Sequence, residues 1–394
     1  MAKLRYNFRL NFTTIFAFAL ITFALILLID KIRKGAQLFE EQVSRVRDED
    51  RNHLNDRPVV FSRKPEQSKA MFLNQTGKFV TLSMPWCGGL CNFLYRFASL
   101  YGIARSVNRV PYIEGRMDCV RKSMAGYAAA MPNLHSHIIF KNVKQPTKVN
   151  FASDWCKYDD PKKLKEYSNA TNLRISGGFL QSFKFFHPFK PDIRRLFEFG
   201  PGVRSLVADY AVALFGDDSS HKLCVHTRVG DFKKHFLLES RLNFTNSAIK
   251  FVHKQLRKTV PKMSIVFIGA DKDFNTKVRV PKKIFQQRYI IDGLSAFEDL
   301  HLGSTYCDSL LLTASGSTFG FWIGYLMSED KQNRIFYNIE TAKNKGFCKN
   351  SNDYDTFLPQ WKRVRELKNG SLILEKRWHV DIERAEKKRI KTFD

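Results

Sequence analysis

The chain has 394 residues, 44% of them hydrophobic and 13% aromatic, with 35 phenylalanines, so it is long enough for two domains or one large one and too apolar to be disordered throughout. The same numbers exclude a small disulfide-stapled scaffold. Lys and Arg number 65 against 38 Asp and Glu, a net charge of +27, which admits nucleic acid, an anionic membrane surface or a phosphorylated small molecule as partner without choosing among them.

Residues 1–10 carry Lys3, Arg5 and Arg9 and read as a short cytosolic tail. Residues 11–29, from Asn11 to Ile29, are uncharged and apolar apart from Asn11, Thr13, Thr14 and Thr22. At about 1.5 Å per residue this stretch just crosses a hydrocarbon core about 30 Å thick. A cleaved signal peptide needs a shorter apolar region and a small-residue cleavage site, whereas Asp30-Lys31-Ile32-Arg33-Lys34 follows directly, so a transmembrane anchor is expected. Basic residues flank the span on both sides, and its orientation rests on what lies downstream. Asn74, Asn169, Asn243 and Asn369 all begin glycosylation acceptor patterns. Seven cysteines (Cys87, Cys91, Cys119, Cys156, Cys224, Cys307 and Cys348) lack the paired spacing of a zinc site. An oxidising lumen would let some pair and leave at least one over. The combination implies a single-pass type II protein with a lumenal body, and removes nucleic acid from the expected partners.

Residues 30–71 hold ten basic and eight acidic residues up to Ala70 and read as a solvated stem. Asp48-Glu49-Asp50 lies in this charged run with no strand before it and is set aside as a metal site. The folded body begins near Phe72. Lys78–Met84 is expected to be a strand, turned by Gly88-Gly89 into a helix over Phe93–Val107, where Leu94, Phe97, Ala98, Tyr101 and Ala104 recur at spacings of three and four. Leu223–Val225 and Met263–Gly269 read as buried strands, with a helical pattern over Ser247–Arg257 between them. Leu310–Thr313 leads into Ser315-Gly316-Ser317-Thr318-Phe319-Gly320 and an apolar segment through Met327. Strands alternating with helices imply an α/β fold with mostly parallel sheets. No repeat or linker marks a boundary, and Gly200-Pro201-Gly202 is the best place to divide residues 72–200 from 201–394, the latter ending in a basic helix.

The densest chemistry lies in Leu223–Phe232. A strand ends, then His226, Arg228 and Asp231 follow with Gly230 between them, at the carboxyl edge where open α/β sheets bind ligands. The planar fork of Arg228 suits a phosphate or a departing diphosphate; an Arg228–Asp231 pair that merely fixes a loop fits the spacing as well. Gly88 and Gly89 before a helix expose backbone N–H groups to a phosphate or sugar oxygen, or simply make a tight turn. Ser317 and Thr318 at another helix start would bond phosphates or cap the helix. Gln181, Ser182 and Lys184 stand among phenylalanines, a surface suited to a sugar or to a core strand. Asp271-Lys272-Asp273 follows a strand, as does the D-x-D that holds a divalent ion on a nucleotide-sugar diphosphate. His135 and His137 lack a third ligand, and no Gly-x-Ser-x-Gly nucleophile elbow is present.

Four of these segments, in order, resemble those of the α1,2-fucosyltransferases, glycosyltransferase family 11. Gly88-Gly-Leu-Cys-Asn92-Phe-Leu-Tyr-Arg-Phe-Ala98, Gly178-Phe-Leu-Gln-Ser-Phe-Lys-Phe-Phe186, His226-Thr-Arg-Val-Gly-Asp231 and Ser317-Thr-Phe-Gly-Phe-Trp322 carry the likeness. The resemblance implies a GT-B-like fold, two Rossmann-like halves facing a cleft, with 72–200 on the acceptor side and 201–394 on the donor side. It implies an inverting transfer of L-fucose from GDP-fucose to a galactose 2-hydroxyl of a glycan, without a metal, by a Golgi membrane enzyme. Arg228 would stabilise the departing GDP, Asp231 would orient Arg228 or contact the nucleotide, and His226 would hold the loop or the donor. Gly88, Gly89, Asn92, Ser317, Thr318 and Phe319 would bind the donor, and Gln181, Ser182 and Lys184 the acceptor. The chain departs from the pattern at Val229, which replaces a second Arg, and at Cys91 and Phe93, which flank Asn92 in place of Gly and Gln. Two rivals stay open: a metal-dependent transferase using Asp271 and Asp273, and a non-catalytic, membrane-anchored glycan-binding paralogue. Tail and stem leave the folded body with most of the excess positive charge.

Overall fold

Two parallel sheets organise the chain. In the computed structural model the described residues are 77–391 except 84–87, 116, 155, 236 and 342–351. The expected anchor at 11–29, the stem at 30–71 and Asn74 lie outside them; among the described residues no helix is long and apolar enough to cross a membrane. The first sheet consists of β1 (Phe79–Leu82), β2 (Val110–Pro111), β5 (Thr147–Val149) and β6 (Asn172–Ile175), all parallel in the order β2-β1-β6-β5, with β3 (Ile113–Glu114) and β4 (Phe140–Lys141) forming a separate pair. Helix α1 (Leu90–Ser106) connects β1 to β2. It starts three residues before the expected Phe93 because Gly89, with an extended backbone, serves as its N-cap.

The second sheet follows helix α2 (Pro201–Phe215). Its strands are β7 (His221–His226), β8 (Met263–Ile268), β9 (Arg288–Ile290), β10 (Ser309–Leu312), β11 (Ile335–Asn338), β12 (Lys362–Glu366) and β13 (Leu372–Glu375). The order β13-β12-β11-β10-β7-β8-β9 is parallel except for β13, which pairs antiparallel with β12. From β9 to β12 this is the 3-2-1-4-5-6 order of a doubly wound dinucleotide-binding sheet, whose order reverses between β7 and β10. All six residues of β8 are buried, as expected of a parallel strand covered on both faces. Between the strands run α3 (Leu242–Leu256), α4 (Ala296–Tyr306) and α5 (Thr318–Leu326). Helix α3 begins five residues before the expected Ser247 and buries Phe244, Ala248, Ile249, Val252 and Leu256 along one face. The basic C-terminal helix is present as His379–Lys391.

The two sheets share a core. One buried cluster runs from Leu94, Phe97 and Tyr101 of α1 to Phe321, Trp322 and Tyr325 of α5. Phe186 stacks on Trp322 at 5.4 Å, and the Trp322 Nε1–H donates to the Cys91 carbonyl at 3.1 Å. Helix α1 meets the turn Phe183–Phe185 so closely that a Cβ on Gly102 would lie 2.0 Å from the Phe185 carbonyl oxygen. Cys224 of β7 is disulfide-bonded to Cys307 at the end of α4, with Cα atoms 5.7 Å apart. Cys119 and Cys156 are also disulfide-bonded, while Cys91 is a free, buried thiol.

Candidate active site

Arg228 stands where the order of the second sheet reverses. It follows β7, and the Ser317 turn follows β10, so the two loops leave neighbouring parallel strands at their carboxyl ends. The Arg228 guanidinium grips Asp231 with both arms, Nε–H to Oδ1 at 3.0 Å and Nη2–H to Oδ2 at 2.6 Å. Burial works to raise the Asp231 pKa, but the bonds and charge of Arg228 hold it below the usual carboxylate value. Both side chains remain about half exposed, at 40% and 47%. They line a cavity of about 590 Å³ together with Val229, Ala270, Asp271, Lys272 and Asp273.

The loop that carries Arg228 is tied down by residues the sequence did not single out. Gly230 adopts φ +90°, a region that favours glycine, and its N–H donates to Glu239 at 3.2 Å. The Arg228 N–H donates to Ser240 Oγ at 2.9 Å, and the Ser240 N–H returns to the Arg228 carbonyl at 2.8 Å. Ser240 Oγ is in turn 2.6 Å from Thr313 Oγ1, which donates to the His226 carbonyl at 2.8 Å. Ser240 and Thr313 are both buried. Strand end, loop and β10 are thereby locked into one hydrogen-bonded belt. No local pattern marks Ser240 or Thr313, because their partners lie 12 and 87 residues away.

His226 is buried and does not face the cavity as a proton carrier. Its pKa is pushed down to about 3, first by burial and then by the charge of Arg228, so the ring is neutral near pH 7. It stacks on Phe319 with centroids 5.9 Å apart. Gly320 allows this: a Cβ there would lie 3.1 Å from His226 Nδ1 and 2.9 Å from Leu312 Cδ2. His226 supports Phe319 from below.

Three of the four resembling segments converge on Asn92. Its Oδ1 accepts from Gln181 Nε2 at 3.2 Å and from Thr318 Oγ1 at 3.1 Å. Gln181 is aimed by Leu180, which sits at φ +51° with its carbonyl held by Ser99 Oγ at 2.8 Å, a backbone conformation unusual for leucine. Gly88 packs on the same amide, since a Cβ there would lie 2.9 Å from Asn92 Nδ2, and φ +68° makes glycine the favoured residue. Gly89 is the N-cap of α1, with no side chain to cap it. Ser317 caps α5, its Oγ accepting from the Gly320 N–H at 3.5 Å. That leaves the backbone N–H groups of Thr318 and Phe319 outside the helix's own ladder and suited to an anion.

Ser182 and Lys184 are placed differently from expectation. Ser182 is buried and donates to the Asp355 carbonyl at 2.6 Å; Lys184 pairs with the Asp355 carboxylate at 2.7 Å. They join the two halves instead of presenting an open acceptor surface. Asp271 accepts the Phe274 N–H at 2.7 Å, capping the helix Lys272–Lys277, while Lys272 pairs with Asp292. Among the described residues no group of three or more His, Cys, Asp and Glu is arranged to hold a metal ion. Of the glycosylation patterns, Asn169, Asn243 and Asn369 are exposed.

Comparison with known proteins adds a lineage to this geometry. A galactoside 2-alpha-L-fucosyltransferase of Caenorhabditis elegans is 29% identical over 294 residues, 72% of this chain and 79% of that protein. A second protein of the same name and organism is 27% identical over 315 residues, 72% of this chain and 76% of that one. Among solved structures, fucosyltransferase NodZ from Bradyrhizobium superposes with a TM-score of 0.41 at 12% identity, covering 64% of this chain and 93% of that one. The family model described as Glycosyl transferase family 11 matches residues 65–365, which bears out the resemblance carried by the four segments: the chain belongs to glycosyl transferase family 11.

Proposed function

We propose that this chain transfers L-fucose from GDP-fucose to the 2-hydroxyl of a galactose on a glycan, inverting the anomeric centre in one displacement. The two sheets, in this reading, are the halves of a GT-B-like enzyme with the donor at the second. Family membership and relatives named for this reaction support it. The observation that carries it is Arg228, a fixed cation at the switch point of a doubly wound sheet, beside a cavity of about 590 Å³.

Chemistry follows from that placement. Breaking the bond between fucose and GDP builds negative charge on the departing diphosphate. Arg228 meets that charge already oriented, because Asp231 holds its fork and the Ser240 belt holds its backbone; little reorganisation is left to oppose the reaction. The free N–H groups at the start of α5 add donors for a phosphate oxygen. Phe319, backed by the neutral His226 ring, gives the donor an aromatic wall. Asn92 ties this wall to the first half through Gln181 and Thr318.

A donor panel tests the reading on the full-length chain in detergent, with GDP-fucose, GDP-mannose and UDP-galactose, a β-galactoside acceptor, and chelator present or absent. Fucosyl transfer from GDP-fucose alone, unchanged by chelator, is the expected result. Asp271 and Asp273 line the same cavity as Arg228, and activity that disappears with chelator would favour the metal-dependent reading. Glycan binding without turnover of any donor would favour the non-catalytic paralogue. The proposed setting is a Golgi membrane, single-pass through residues 11–29 with the body in the lumen. The exposed Asn169, Asn243 and Asn369 and the disulfides support it, and an endoglycosidase shift of the cellular protein tests it, since an unglycosylated body would argue against a lumenal one.

A further inference from the structure

The second half carries a basic flank for which the donor cavity has no use. Between Lys250 and Lys283 the only carboxylates are Asp271 and Asp273, and both belong to the cavity. Lys250, Lys254, Arg257 and Lys258 recur at helical spacing along α3 and the turn that ends it, opposite the buried Phe244, Ile249 and Val252. Lys277, Arg279, Lys282 and Lys283 follow on a segment that lies against the same helix. There the Arg279 N–H donates to Asn246 Oδ1 at 2.7 Å, Val278 and Phe285 join the core cluster of α3, and the Phe285 ring stands 5.5 Å from His253. Every one of these basic side chains is exposed. Among the described residues none of them makes an ion pair, although nearby Arg241 and Lys272 do.

Exposed like charges gathered within about a Debye length, roughly 8–10 Å, repel one another and oppose folding. Among the described residues no carboxylate pairs with these cations to offset that repulsion, whereas a bound polyanion would. We propose that this flank is a binding surface for an acidic polysaccharide, a glycan chain bearing sulfates or carboxylates. Shape favours a chain over a nucleotide: Lys250 to Lys258 alone spans roughly 12 Å at 1.5 Å per residue, and the second row of cations lies alongside. Composition favours a polysaccharide over a bilayer. Helices that lie on membranes pair their cations with inserted apolar side chains, but among the described residues the exposed large hydrophobics are Ile139, Leu206, Val212 and Leu374, none of them within residues 250–283. The proposal is independent of which sugar the cavity transfers.

The test uses the full-length chain in phosphatidylcholine nanodiscs, titrated with fluorescent heparin as the sulfated probe and with dextran as the neutral one. A variant carries K250E, K254E, K282E and K283E, all at exposed positions outside the cavity lining, and its thermal unfolding is compared with the unmodified chain to establish that it folds. Heparin binding that weakens at least about tenfold in the variant at 0.15 M salt, with a shallower dependence on salt concentration, is expected. Equal heparin affinity in the two chains overturns the proposal, as does dextran binding as tightly as heparin. Nanodiscs containing phosphatidylserine supply the remaining arm: unchanged heparin binding supports the polysaccharide, and heparin binding abolished by the anionic lipid assigns the flank to a bilayer and overturns it.

Discussion

Arg228 combines a small expected share in stability with a large proposed one in turnover. Its pair with Asp231 is about half exposed, and such pairs contribute about 0–1 kcal/mol to folding. Arg228→Ala is therefore expected to unfold within a degree or two of the parent while losing about 10²–10³ in kcat, the scale of one removed transition-state donor. Arg228→Lys keeps the charge but not the fork and should fall between the two. Near-parental turnover in the alanine variant would remove Arg228 from the mechanism. At this scale much of the candidate site's geometry was legible from sequence: Arg228, Asp231, Asn92, Gln181 and Thr318 all occupy the sheet edge or bond one another across the halves. His226 was legible as a candidate, but its burial was not, since nothing local records that Phe319 and Gly320 close over it.

Elements carry the second layer of constraint, and α5 is the clearest case. Its N-terminus sits at the switch point, its first turn holds Thr318 and Phe319, and Gly320 permits the helix to rest on the His226 ring. Replacing Gly320 by Ala improves helix propensity by about 1 kcal/mol. It also forces a methyl to 3.1 Å from His226 Nδ1 and 2.9 Å from Leu312 Cδ2, and overpacking a filled site costs about 1–3 kcal/mol. Because the histidine is buried and its loop is belted in place, it has little room to give, and the clash outweighs the propensity. The expected result is a lower Tm and a raised KM for the nucleotide sugar, as Phe319 is pushed outward. A variant more stable than the parent, with unchanged KM, would show that the ring gives way freely. The apolar strands β7, β8 and β10 were legible because they are short buried runs. The outer β11, β12 and β13 were missed, Lys362–Glu366 in particular because it sets two charged residues on each side of a single buried Val364 and shows no apolar alternation.

The whole molecule depends on contacts that no sequence window contains. Asp355 is buried in the turn Asp353–Thr356, yet it collects Lys184 Nζ at 2.7 Å, the Tyr158 N–H at 3.3 Å and Asn352 Nδ2 at 3.1 Å, while its carbonyl takes Ser182 Oγ. Lys184 and Asp355 are 171 residues apart, so their pairing leaves no periodic trace, and a lysine among phenylalanines reads equally well as a sugar ligand. The two roles make opposite predictions for Lys184→Ala. If Lys184 holds the halves together, the substitution strands a buried carboxylate, a loss of about 3 kcal/mol, which lowers Tm by several degrees in a domain of this size; KM for the glycan changes little. An acceptor ligand would instead raise that KM and leave Tm nearly unchanged. The asymmetry of the pair sharpens the test, because Lys184 is 34% exposed and Asp355 only 4%. Asp355→Ala frees an ammonium that can turn to water, while Lys184→Ala leaves the anion nowhere to go. On the ion pair alone the lysine substitution is thus expected to be the costlier, and the double variant to lose less than the two single losses combined, the coupling expected of groups in direct contact.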